Sequence, residues 1–197
     1  MKKLLITVLV LIITIQACKT KLEKIQVDCS QLEVLLSEVY KSDQSVRQEN
    51  DMTKIDFDLM NRVDLTNLGK VVSIIEQCGM PTSQSIGKEN VNTIFLVIQH
   101  SKLTYQKEYF PMLKELADKG DLNWSSLAML EDRILMGEGK PQIYGTQVQS
   151  AMNSSDYELY ELVNPEYVDK RREKVGLEPL NEYLKYWDLE FKVKQKK

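Results

Sequence analysis

The chain has 197 residues, of which 43% are hydrophobic, 28% charged and 8% aromatic. With 8 Gly and 5 Pro, the composition excludes collagen-like, low-complexity and intrinsically disordered classes of protein. The formal net charge of -3 offers no broad basic surface, so we expect no nucleic-acid partner. These figures predict one globular domain with at most a short appendage.

The N-terminus has the features of an export signal. Met1 precedes two lysines, and residues 4–15 then form an apolar run. This run is too short for a membrane-spanning helix, which needs about 20 apolar residues, but it is typical of the core of a signal peptide. The sequence Ile15-Gln16-Ala17-Cys18 follows, and it resembles the lipobox of bacterial lipoproteins, in which the cysteine is acylated and becomes the mature N-terminus.

The resemblance implies a cell-envelope protein whose partner is the membrane, contacted through acyl chains on Cys18. Lys19 follows the cysteine and no acidic cluster comes after it, which favours the periplasmic face of the outer membrane. The predicted organisation is a signal peptide, a lipidated N-terminus with a tether, a domain and a basic tail, at residues 1–17, 18–29, 30–188 and 189–197. The alternative is an ordinary secretory signal with a chance cysteine.

Cys29 and Cys78 are the two remaining cysteines. In an oxidising envelope they could form a disulfide, whereas buried free thiols are equally common as small apolar side chains. The sequence leaves these alternatives open. It contains no CxxC motif and only one histidine, so we predict no metal site and no cofactor.

Apolar residues recur at helical spacing in six segments, at residues 30–49, 55–63, 67–78, 91–100, 103–119 and 123–136. Ser30 is the predicted N-cap of the first segment and Asn123 that of the last. The fourth segment is apolar nearly all round, which indicates a central buried helix. It ends at Gln99 and His100.

After residue 137 the helical pattern breaks. Residues 142–149 and 157–163 are β-prone, and the turn-forming residues 150–156 separate them, which predicts a hairpin. Two short helices follow, from Asn164 to Gly176 and over residues 179–187. The predicted fold is mainly α: a single helical domain of about six to seven helices with a small β-hairpin in the C-terminal third.

Six short motifs stand along the predicted domain. They are Asp43-Gln44-x-x-Arg47, Cys78-Gly79-Met80-Pro81, Val97-Ile98-Gln99-His100, Leu130-Glu131-Asp132-Arg133, Gln142-Ile143-Tyr144-Gly145-Thr146-Gln147 and Arg171-Arg172-x-x-Val175-Gly176-Leu177-x-Pro179-Leu180. Together they resemble a family of bacterial proteins described only as a domain of unknown function. The resemblance implies one helical domain and marks candidate site positions, and it implies no activity.

Several polar residues of these motifs stand within or at the end of apolar segments. There each needs a hydrogen-bond partner, because an unpaired buried polar group costs about 1–3 kcal/mol, and a purely structural role is therefore unusual. The candidate ligand-binding residues are Asp43, Arg47, Gln99, Arg133, Gln142, Tyr144, Thr146 and Gln147. The candidate catalytic residues are His100 and Asp132.

The sharpest hypothesis brings these residues to one cleft. His100 would transfer a proton, because imidazole has the unperturbed pKa nearest to physiological pH, and Asp132 would orient it. Arg133 or Arg47 would hold an anionic group of the ligand. The alternative is a buried hydrogen-bond network with no ligand, in which His100 pairs with Asp132 and Asp43 with Arg47.

We favour a binding module for a small ligand or an envelope protein. The alternative function is a small hydrolase or transferase that acts on an envelope glycan or peptide through His100 and Asp132. No nucleophile stands in a recognised motif.

Overall fold

The computed structural model describes residues 22–48, 54–150 and 157–196. The predicted signal peptide and Cys18 lie outside these residues, as does nearly all of the predicted turn at 150–156. Within them the fold is mainly helical with one antiparallel hairpin, as the sequence predicted. The elements are α1 (Leu32–Ser45), α2 (Phe57–Cys78), α3 (Ser83–Ile86), α4 (Lys88–His100), α5 (Leu103–Asp118), α6 (Trp124–Gly137), β1 (Val148–Ser150), β2 (Tyr157–Leu159), a 3-10 turn (Pro165–Tyr167), α7 (Val168–Lys174), α8 (Leu180–Leu184) and a second 3-10 turn (Lys185–Trp187).

Several predicted helix boundaries were wrong. The first helix, predicted over residues 30–49, ends at Ser45. The stretches predicted at 55–63 and 67–78 are one continuous helix, α2, because the intervening residues include neither Gly nor Pro and nothing interrupts the backbone hydrogen bonds. Ser30 does not cap α1, since its amide and hydroxyl donate to Asp28 Oδ1 at 2.9 and 2.7 Å, and Gln31 is the residue before the helix.

A large apolar core lies among α1, α2, α4, α5 and α6. As predicted, α4 is central: Val91, Ile94 and Ile98 have no exposed surface. A smaller core lies near the C-terminus, where Val168, Leu180 and Leu184 pack against the hairpin. The two cores place the loop between α6 and β1 at the junction of the helical body and the C-terminal part.

The predicted extended segment 142–149 is a strand only at its end. Val148 pairs with Leu159 in the antiparallel hairpin, whereas Gln142 makes an isolated parallel bridge to Leu162. Residues 142–147, which we call the Asp132 loop, are irregular because their amides donate to a side chain of α6 rather than to a neighbouring strand.

Residues 22–29, which the sequence assigned to a tether, run along α2 and form what we call the N-terminal strap. The Ile25 amide donates to Ser73 Oγ and the Val27 amide to Gln77 Oε1, both at 3.0 Å. The strap ends at a disulfide between Cys29 and Cys78, whose Cα atoms lie 5.8 Å apart. The structure thus selects the disulfide from the two alternatives that the sequence left open.

The C-terminal residues also pack on the domain. The Lys196 amide donates to the Glu166 carbonyl at 2.7 Å, and Gln195 Oε1 accepts from the Asp169 amide at 3.1 Å. The structure therefore places residues 189–196 against the helices that precede them. Among the described residues, no helix combines the length and the apolar character that a membrane span requires.

Candidate functional site

His100 and Asp43 meet where the C-terminus of α4 approaches the last turn of α1. His100 Nδ1 lies 3.0 Å from Asp43 Oδ1. Asp43 is only 1% exposed, although its neighbours in the sequence are largely polar. The two residues are 57 positions apart, so it is the packing of α1 on α4 that forms this pair.

Arg47 joins the pair to α2. Its guanidinium contacts Asp43 Oδ1 at 3.2 Å and donates to Asp64 Oδ1 at 2.6 Å, and it also donates to the Asp43 carbonyl at 2.9 Å. Gln44 Nε2 donates to Asp43 Oδ2 at 2.8 Å. Asp43, Arg47, Asp64 and His100 therefore form one hydrogen-bonded group, which we call the His100 cluster.

This environment keeps Asp43 ionised. Burial acts to raise the pKa of Asp43, but the hydrogen bond and charge interaction with His100, the charge of Arg47 and the hydrogen bond from Gln44 outweigh it. The pKa of Asp43 is consequently lowered from its ordinary value of 3.8. A buried carboxylate with these partners is a fixed negative charge at the base of the cluster.

The cluster borders a cavity of about 280 Å³, which we call the His100 cavity. Its lining residues are Asn61, Asp64, Leu65, Leu68, His100, Ser101 and Lys102. The wall thus combines an imidazole, a carboxylate and an ammonium group with two leucines. Such a combination suits a small polar ligand that has an apolar portion.

The Asp43 carboxylate determines what His100 can do in this cavity. A carboxylate that accepts from Nδ1–H selects the tautomer in which the other ring nitrogen, Nε2, carries a lone pair. In that tautomer Nε2 is the ring nitrogen that is able to accept a hydrogen bond. Ser101 lines the same cavity, but its Oγ donates to the Ile98 carbonyl at 2.6 Å rather than to the imidazole, so the two do not form a nucleophile–base pair.

The cluster also contains potential metal ligands. Asp43, Asp64 and His100 each offer one ligand atom, and these atoms lie within 4.8 Å of one another. Arg47 already bridges the two carboxylates, so a cation would have to displace its guanidinium. Sequence reasoning does not reveal this group, because its members come from three different helices.

Asp132 does not orient His100, and this part of the sequence-based hypothesis was wrong. Asp132 is fully buried in α6, and its carboxylate accepts from the loop that follows. Oδ1 accepts from the Ile143 and Tyr144 amides at 2.7 and 3.0 Å, and Oδ2 accepts from the Thr146 amide and hydroxyl at 3.0 and 2.9 Å. Asp132 therefore fixes the backbone of the Asp132 loop.

The two glutamines of the loop complete this network. Gln142 Nε2 donates to the carbonyls of Gln147 and Tyr160 at 3.0 and 2.9 Å, and its Oε1 accepts from the Gln147 amide at 2.9 Å. Gln147 Nε2 donates to Thr146 Oγ1 at 3.0 Å. Burial and the nearby charge of Glu131 raise the pKa of Tyr144 to about 12, so its phenol stays neutral.

Two candidate residues carry buried polar atoms without a partner among the described residues: Arg133 Nε and Gln99 Oε1. Burial lowers the pKa of Arg133 from its ordinary value of 12.5. The backbone carbonyl of Gln99 accepts a hydrogen bond from Gln106 Nε2 at 2.8 Å, which connects the end of α4 to α5.

The structure therefore places eight of the ten predicted site residues in two groups. Asp43, Arg47 and His100 belong to the His100 cluster, whereas Asp132, Gln142, Tyr144, Thr146 and Gln147 belong to the Asp132 loop. Among the described residues, no hydrogen bond or ion pair joins the two groups. In this part of the chain, the contacts therefore do not support the single cleft that the sequence suggested.

Sequence reasoning missed three residues of these groups. Asp64 bonds Arg47, but it stands where a gap between helices was predicted. Arg171 and Arg172 belong to a recognised motif and support the Asp132 loop: Arg171 Nε donates to the Ile143 carbonyl and Arg172 Nη1 to the Tyr144 carbonyl, each at 2.7 Å. The two adjacent arginines in the helix predicted at residues 164–176 could have signalled this role.

Comparisons with known proteins give one finding. No curated protein and no solved structure matches the chain. One family model matches residues 30–196, which is most of the chain and includes both groups of polar residues. The chain therefore belongs to DUF6624, a family of unknown function, in agreement with the resemblance that its motifs indicated.

Proposed function

We propose that this protein is a lipid-anchored component of the cell envelope whose domain binds a small ligand in the His100 cavity. The lipobox-like sequence at Cys18 supports the anchor, and the periplasmic face of the outer membrane is the location it favours. In this proposal the domain recognises a soluble glycan or peptide fragment of the envelope.

One observation carries the ligand proposal: the hydrogen bond between buried Asp43 and His100 at the wall of an open cavity. A histidine that only stabilised the fold would not need to line a cavity. Here the bond to Nδ1 leaves Nε2 for a molecule in that cavity. Asp64 and Lys102 supply an acceptor and a cation beside it, and the side chains of Leu65 and Leu68 supply the apolar wall.

The test uses the fact that His100 is the only histidine of the chain. The Hε1 proton of its imidazole therefore gives a single histidine signal in the NMR spectrum, which we would follow while adding soluble glycan and peptide fragments released from bacterial cell wall. We expect a saturable shift of this signal. Asn61→Trp, which fills the mouth of the cavity, should abolish the shift.

The matched control is Asn92→Trp. Asn92 is also an exposed asparagine on a helix beside a cavity, but that cavity lies at the other end of α4. This variant should keep the full shift. Binding at the His100 cavity is refuted if no fragment moves the signal, or if both tryptophan variants respond alike.

A second candidate function is a hydrolase or transferase acting on an envelope glycan or peptide. The carboxylate–imidazole pair favours it, because this arrangement supports general-base catalysis. Asp43 would take the orienting role first assigned to Asp132. If mass spectrometry of the same fragments reveals new products that are lost in His100→Gln, the enzyme is supported over the binding module.

A further inference from the structure

The N-terminal strap has a direction relative to α2. The Glu23 carbonyl lies against Gly69, so closely that a Cβ at position 69 would stand 2.0 Å from its oxygen. Further along, the Ile25 amide donates a hydrogen bond to Ser73 Oγ, and Cys29 forms a disulfide with Cys78. The strap therefore runs parallel to α2. Leu22, the first described residue, is consequently at the end of the strap that is nearer to the N-terminal half of that helix.

The His100 cavity lies on that same half of α2. Asn61, Asp64 and Leu68 share one face of the helix at the spacing i, i+3 and i+7. Phe57 continues this face one turn earlier, and its side chain is 55% exposed. Leu65 is one turn from Gly69, which corresponds to about 6 Å along the helix axis. The start of the strap and the cavity are thus neighbours.

Chain length limits how far an anchor at Cys18 can lie from this place. Cys18 and Leu22 are separated by four peptide units, which reach at most about 14 Å when fully extended. A domain of this size has a radius of gyration of about 16 Å. Leu22 itself packs against the large core, so the anchor cannot reach the far side of the domain.

We propose that the mouth of the His100 cavity faces the phospholipid surface that holds Cys18, with Phe57 and Lys102 at its rim in contact with lipid. This rests on the lipid anchor of the proposed function. An exposed aromatic ring suits the boundary between headgroups and acyl chains, and a lysine there extends its ammonium group to lipid phosphates.

The test measures how deeply each end of α4 lies in a lipid bilayer. Lys88 and Lys102 are both exposed lysines, and they stand just inside the start and just beyond the end of this helix. Because α4 rises about 1.5 Å per residue, these ends are about 18 Å apart. Lys102→Cys and Lys88→Cys would each be labelled with the fluorophore NBD in the full, membrane-extracted chain, in which Cys29 and Cys78 are blocked by their disulfide.

The labelled proteins would be placed in vesicles of phosphatidylethanolamine and phosphatidylglycerol that contain nitroxide-labelled lipid. We expect a blue shift and strong nitroxide quenching at position 102, and neither effect at position 88. Phe57→Cys should behave as position 102 does. Intact mass of the same sample, read beside the fluorescence, reports whether Cys18 is acylated.

Three outcomes overturn the proposal. Equal quenching at both positions, or quenching only at position 88, excludes this orientation. A blue shift at position 102 without quenching means that protein, such as a second copy of the chain, covers the face instead of lipid. An unacylated Cys18 removes the anchor itself. None of these readings involves the ligand, so they are independent of the binding test with Asn61→Trp.

Discussion

Asp43 is the residue on which the His100 cluster depends most. It accepts hydrogen bonds from His100 and Gln44 and forms an ion pair with Arg47, all while it is 1% exposed. A buried carboxylate with these partners stabilises the fold because loss of its charge would leave a half-buried guanidinium with fewer partners. The same charge also fixes the imidazole. Stability and ligand recognition are therefore coupled at this position.

We predict that Asp43→Asn lowers the free energy of unfolding by about 3 kcal/mol at neutral pH. The pKa of Asp43 is lowered in the folded state. Its contribution to the free energy of unfolding is therefore fully present above the pKa of the unfolded chain, and it is lost as the pH falls through the pKa of the folded state. The difference in the free energy of unfolding between wild type and Asp43→Asn should therefore become smaller below about pH 4. Urea unfolding at a series of pH values measures it.

The control for this prediction is Asp118→Asn, since Asp118 is exposed and forms its ion pair with Lys114 on the surface of α5. We expect this substitution to change the free energy of unfolding by no more than about 0.5 kcal/mol. A pH-independent loss in Asp43→Asn would contradict the assigned role of the charge.

Among the elements, the Asp132 loop shows how side chains can replace a regular backbone ladder. Its segment has β-forming residues, but its amides are satisfied by one carboxylate and by Gln142 rather than by a strand. On its other side, Arg171 and Arg172 donate to loop carbonyls. The loop thereby connects α6 with α7 through side chains of opposite charge.

We predict that Asp132→Ala destabilises the protein by about 3 kcal/mol or more, because hydrogen bonds to a charged group contribute about 1.5–3 kcal/mol each. Asp132→Asn, which retains one acceptor oxygen, should be intermediate. Hydrogen exchange of the Ile143, Tyr144 and Thr146 amides should accelerate in the order wild type, Asn, Ala. Unchanged exchange in Asp132→Ala would disprove this role, whereas the His100 NMR signal should stay in place in both variants.

At the scale of the whole molecule, the disulfide fastens the N-terminal strap to the helical body. It joins the end of the strap to the last residue of α2 over a separation of 49 residues. The strap is otherwise held by a few hydrogen bonds, by the ion pair between Lys24 and Glu76, and by the packing of Leu22, Ile25 and Val27 on the large core. The covalent bond therefore maintains the order of the segment that connects the domain to its proposed anchor.

We predict that Cys29→Ala together with Cys78→Ala lowers the free energy of unfolding by about 4 kcal/mol, the value expected when a loop of this length is opened. Thermal or urea denaturation measures the loss. A reducing agent should destabilise the wild type by a similar amount and leave the double variant unchanged. An identical response of both proteins to the reductant would contradict a stabilising disulfide.

Helix positions in the sequence could be predicted because each helix carries its own signal. The apolar residues of α1 and α4 recur every three or four positions, and burial selects these faces in the structure. The continuity of α2 was missed since polar residues around Asp64 interrupt the apolar pattern. Asp64 itself forms an ion pair with Arg47 and lines the His100 cavity, so the interruption at this residue marked a candidate site rather than a helix end.

By itself, the sequence determined the helical class, the hairpin, the family and the set of candidate polar residues. Only the tertiary structure decided which of them meet. It paired His100 with Asp43 instead of Asp132, and it bonded Cys29 to Cys78. The physical reason is range: periodicity and capping act within a few residues along the chain, whereas these contacts join residues far apart in the sequence and depend on how whole helices pack.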